Sequence, residues 1–119
     1  MRFDHHTLVL LVRPPDAPEL PDEEEAAALQ DAHLAYQAGL YDKGHLVAVG
    51  PLGAQDDQRL RGVAVLTVDP ETARQLYSAD PAVRAGRLAV ELMTWMVPAG
   101  SVRFERVQPP RSMAEATGS

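Results

Sequence analysis

Five consecutive apolar residues, Leu8-Val9-Leu10-Leu11-Val12, lie in a run that stops at Pro14-Pro15. The aliphatic and β-branched density of residues 3–13, closed by two prolines, reads as a strand. Successive side chains on a strand point to opposite faces, so a run apolar on both parities needs cover on both sides. Residues 87–97 repeat the pattern after Arg87, interrupted by Glu91 and Thr94. A chain built on two such strands cannot leave one face of its sheet in water.

The rest of the chain supplies helices between strands. Residues 14–21 hold four prolines and form a loop. Asp22-Glu23-Glu24-Glu25 then places negative charge in the first turn of a helix, where the macrodipole favours it. This helix runs to about Asp42, with Gly44 as its stop. Residues 45–49 make a short second strand ending at Gly50-Pro51, and the polar stretch 52–60 is a loop or wide hairpin. Residues 61–68 are a third strand. Asp69-Pro70 starts a second helix, with Asp69 as N-cap and Pro70 at the first helical position, stopping near Ala79. Residues 81–85 add a turn, 87–97 are the fourth strand, and 101–107 are read as a short fifth. Residues 108–119 are expected to be a frayed or docked arm.

The order strand, helix, strand, strand, helix, strand is the ferredoxin-like βαββαβ arrangement, an α+β fold. Its helices cover one sheet face only. The simplest cover for the other is a second copy of the same sheet, which predicts a homodimer; the alternative is a monomer whose C-terminal tail lies there. The domain is expected to span residues 1–98, with 99–119 as an extension.

Composition narrows the function classes. At 119 residues one domain is the default. The net charge is -6, and no basic run exists for phosphate contacts, so nucleic acid is not an expected partner. No stretch is long and apolar enough to span a membrane, and the N-terminus lacks a signal-like order, so a cytoplasmic protein is expected. Without cysteine there is no disulfide, thiolate nucleophile or Cys-ligated metal. His5 and His6 point to opposite strand faces, and His33 and His45 match no zinc spacing. Neither a metal nor another cofactor is expected.

Two places can carry acid–base chemistry. Leu29, His33, Tyr36 and Leu40 follow i, i+4, i+7, i+11 and share one helix face, so His33 points inward. An imidazole there is a general base if a carboxylate orients it, or a core histidine bonded to a carbonyl. Asp80, between a helix and Pro81, is the candidate carboxylate or an ordinary Asp-Pro turn. Gly50-Pro51 at a strand end lets a ligand approach the backbone, or simply turns the chain. Glu91 must be paired, face a cavity or lie at an exposed edge. Arg61, Arg84 and Arg87 are candidate clamps for a carboxylate or phenolate, or ordinary surface residues.

Asp31-Ala32-His33-Leu34, Gly39-Leu40, Val49-Gly50-Pro51-Leu52, Gly62, Ser78-Ala79-Asp80-Pro81 and Ala85-Gly86 occur in an order that resembles the YCII-related domain proteins, members of the dimeric α+β barrel superfamily. The resemblance covers residues 3–98. It implies a ferredoxin-like homodimer in which His33 and Asp80 face one pocket as catalytic residues; Gly50, Pro51, Ser78 and Glu91 are taken as the substrate-binding candidates. It also implies cofactor-independent lyase or isomerase chemistry on a small metabolite, since one member eliminates chloride from a chlorinated hydroxyquinol. The competing expectation is a non-catalytic small-molecule-binding or accessory interaction module. A His33–Asp80 hydrogen bond lining an open pocket favours the enzyme; a His33 bonded to a carbonyl in a closed core makes the site structural.

Overall fold

The computed structural model describes residues 1–118. Four strands, β1 (Phe3–Val12), β2 (Leu46–Pro51), β3 (Leu60–Leu66) and β4 (Ala89–Pro98), form one antiparallel sheet in the order β2-β3-β1-β4. The helices α1 (Glu23–Asp42), α2 (Pro70–Ser78) and the single turn α3 (Pro81–Arg84) connect them. Element order and strand order together are those of the ferredoxin-like α+β fold.

Local chemistry sets the helix ends. The Asp22 carboxylate accepts from the Glu25 amide at 2.6 Å, and three glutamates fill the first turn of α1. Gly44, at φ 81°, turns the chain out of α1 in the left-handed region that glycine enters without Cβ strain. Asp69 caps α2 through the Thr72 amide, and Pro70 opens the helix, as its sequence predicts.

The core lies between the sheet and the helices. Val9, Leu11, Ala64 and Leu66 meet Leu40, Tyr41, Ala73 and Tyr77 there, all buried. Leu8 and Leu10 occupy the opposite face beside Val65, Val63, Met93 and, one register step on, Trp95, because residues paired directly across strands share a face. Among the described residues no helix covers that face, and Met93 and Trp95 are exposed at 37% and 39%.

The fifth strand expected over 101–107 does not form. This stretch is irregular, and its side chains dock instead: Phe104 meets the His6 ring edge-on at 5.3 Å, and the Arg106 guanidinium sits 4.1 Å over the Tyr41 ring. Alternating Val102 and Phe104 imitate a strand, but charge at Arg103, Glu105 and Arg106 suits a segment crossing a surface. The arm then runs back along α1. Arg111 makes a two-pronged pair with Asp42, the Met113 amide donates to Asp31 at 2.8 Å, and a last short helix, α4 (Met113–Thr117), follows.

Tyr77 ties α2 to α1, its hydroxyl accepting from Gln37 Nε2 at 2.8 Å. Burial pushes its phenol well above the ordinary 10.0, and the nearby Asp80 and Tyr36 act the same way. The unfolded phenol therefore ionises first, so this contribution to stability is complete below pH 10 and is lost as pH rises. Urea midpoints are expected to fall on the alkaline side. The variant Tyr77→Phe should fall less steeply there, while losing about 1–3 kcal/mol at neutral pH for the orphaned Gln37 amide.

Candidate functional site

Asp80 is fully buried, and its place is fixed by the chain around it. It is the N-cap of α3, with Pro81 at the first helical position holding φ near its helical value. One carboxylate oxygen, Oδ1, accepts from the Ala82 amide at 3.2 Å. The other, Oδ2, lies 2.7 Å from Nδ1 of His33. His33 arrives from α1, where its stripe with Leu29, Tyr36 and Leu40 faces inward as the spacing predicts.

A carboxylate only accepts hydrogen bonds, so Nδ1–H donates to Asp80 and the tautomer is set. In the neutral ring the lone pair of Nε2 is then left free. It makes no hydrogen bond within the protein and, unlike Nε2 of His6, is not sealed from solvent. The ring borders a cavity of about 410 Å³. Its floor is sheet, from Leu11, Val49, Gly50, Pro51 and Gly62; one wall is α1, from Leu29 to Gln37; Ala82, Arg87 and Leu88 close another. A Cβ on Gly62 would come within 3.3 Å of both the Gly50 carbonyl and Leu11, so glycine keeps this floor flat.

The structure thus gathers His33, Gly50 and Pro51 at one cavity, with Asp80 directly behind the imidazole. It does not bring Ser78 or Glu91 there. Ser78 is exposed at the end of α2, where its hydroxyl bonds the Gln75 carbonyl, and it borders a shallower hollow instead. Glu91 is exposed on the edge strand β4, paired in register with Leu10 on the face turned away from the helices. Its strand parity opposes that of Leu11, which is why it cannot reach the cavity. Arg61 and Arg87 border the cavity and Arg84 does not.

Sequence reasoning missed three features. Gln37 lies one helical step from His33, and the i+4 rule would have found it. Arg13, just past β1, also borders the cavity. The last wall comes from the C-terminal arm, through Pro109, Pro110, Met113, Ala116 and Thr117, and no local pattern announces a contact over such sequence distance. Among the described residues no three potential metal ligands come together.

The site thus joins a ferredoxin-like domain to a buried histidine–carboxylate pair beside a cavity of about 410 Å³. The YCII-related domain model matches residues 7–96, and the chain belongs to that family. Among solved structures it is similar to a 5-chloro-2-hydroxyhydroquinone dehydrochlorinase from Burkholderia phenoliruptrix AC1100, in complex with 2,5-dihydroxybenzoquinone. The TM-score is 0.52 at 19% identity, over 80% of this chain and 95% of that one, a likeness of fold. No curated protein matches the chain.

Asp80→Asn tests the pair. An asparagine keeps an oxygen for the Ala82 amide but turns an NH2 group on Nδ1, which forces the proton to Nε2. Nitrogen-15 shifts of the His33 ring should report Nδ1–H in the wild type and Nε2–H in the variant. An unchanged tautomer would show that Asp80 does not set it.

Proposed function

We propose that the protein is a cofactor-independent lyase or isomerase in which His33 moves a proton on a small metabolite. The observation carrying this reading is the 2.7 Å contact between Nδ1 and Asp80 in a histidine that borders the cavity. Nε2 takes a proton from a substrate carbon or hydroxyl. The imidazolium that forms is stabilised by the buried Asp80 carboxylate, and the electron pair released either expels a leaving group or shifts a double bond. The ring then returns the proton to a second position or to water. The family match and the likeness to a dehydrochlorinase favour this chemistry over simple ligand storage.

The test is hydrogen exchange into D2O, followed by NMR, and chloride release, over a panel containing 5-chloro-2-hydroxyhydroquinone and small carboxylated rings. His33→Ala should lower the rate on any responsive compound by about 10²–10⁴-fold, the usual contribution of one positioned acid–base group. A variant that turns over like wild type removes His33 from the chemistry. Binding without turnover across the panel makes the protein a binding module.

We further propose a homodimer formed through the open sheet face. Leu8, Leu10, Val63, Met93 and Trp95 make it apolar, and the His6 ring packs 5.9 Å from Trp95. An uncovered face of this character favours a second copy. Sedimentation should give a dimer for the wild type and a monomer for Trp95→Asp; a monomeric wild type refutes the proposal.

A further inference from the structure

The chain carries 17 acidic side chains against 11 lysines and arginines. Yet no Asp or Glu borders the cavity, and three arginines do: Arg13, Arg61 and Arg87. They stand at one end of the sheet, Arg13 just after β1, Arg61 at the start of β3, and Arg87 just before β4. β1 is hydrogen-bonded to both other strands, which makes the three neighbours. Burial first, and then the charges of Arg87 and Arg61, hold the Arg13 guanidinium below its ordinary value.

None of the three has a carboxylate partner among the described residues. The arginine ion pairs present use Arg59 with Asp57 and Arg111 with Asp42. Arg87 donates to the Pro18 carbonyl and Arg61, at 3.4 Å, to that of Gln58, contacts that position a side chain without cancelling its charge. Like charges gathered without a counterion repel. The protein carries a net charge of -6, so this cationic cluster runs against its overall balance. A guanidinium presents a planar fork that matches a carboxylate, while Leu11, Leu29 and Val49 offer an apolar seat in the same cavity.

We propose that the cavity takes an organic acid, its carboxylate held by Arg13, Arg61 and Arg87 and its apolar body lying against Leu11, Leu29 and Val49. This rests on the His33 reading above only for which end of the ligand reacts. The arginines select and orient; the imidazole does the chemistry. The anionic ligand is also drawn towards a cavity lined by arginines and no carboxylate, an attraction that salt screens.

Benzoate and its neutral counterpart benzamide are the probes, followed by amide NMR shifts of Gly50, Gly62 and Leu88. Benzoate should shift these amides saturably and bind about tenfold more tightly than benzamide, the worth of one charge-assisted contact. Added salt should weaken benzoate alone. Arg13→Gln combined with Arg61→Gln, both at exposed positions, should bring benzoate down to the level of benzamide. Equal binding of the two probes by the wild type overturns the proposal, as does an absence of saturable shifts at these amides. So does a preference that survives both substitutions in a folded variant. His33→Ala should retain the preference for benzoate. Failure of the exchange experiment therefore leaves the arginine cluster standing, and failure of the benzoate preference leaves His33 untouched.

Discussion

A carboxylate removed from water must be met by donors, and the burial of Asp80 imposes that demand on the whole helical layer. Its own chain supplies one donor, the Ala82 amide; the other must come from across the interface, and His33 supplies it. Two more polar links join the same elements. The Tyr36 hydroxyl donates to the Leu76 carbonyl and Gln37 donates to Tyr77. Residues 33, 36 and 37 of α1 are thereby stitched to residues 76–80. Helix–helix contacts made only of leucines tolerate small slips, but this one has directional bonds that fix rotation and height together. The same bonds aim the imidazole at the cavity, so the packing of the layer and the geometry of the site are one constraint.

The sheet divides the work differently. Its inner face is a conventional apolar core around Val9, Leu66 and Tyr77. Its outer face is also apolar but carries no helix, and the C-terminal arm reaches only the His6 corner before passing to α1. The site lies at the far end of the inner layer, where β1 ends in a register irregularity between Leu11 and Val12. Irregular pairing at a strand end often re-aims side chains near a site, and here Arg13 follows directly after it.

Much of the fold was legible because its signals are local. The strand runs, the Asp69 cap and the glycine at 44 each act within a few residues, and each formed as read, whereas Asp22, read within the first turn of α1, instead caps it. The helical stripe likewise placed His33 inward. What local pattern could not reveal was which distant side chains face the same cavity. Ser78 lies two residues before Asp80 but does not share its direction, because a capping turn separates a helix end from the residue that caps the next helix. Glu91 lies on an apolar strand, but strand parity sends it to the other face. Arg13 read only as the last residue of a strand, and the docking of the arm depends on pairs such as Arg111–Asp42, separated by most of the domain.

The cavity therefore has walls of two kinds. Part of the floor is also core, so a change at Leu11 disturbs the packing that holds the molecule folded. The arm carrying Pro109 and Met113 lies outside residues 7–96, the region matched by the family, and is tied down by exposed polar contacts. Those contacts open locally at small energetic cost. The shape of the pocket can thus be retailored through the arm while the buried His33–Asp80 pair stays fixed.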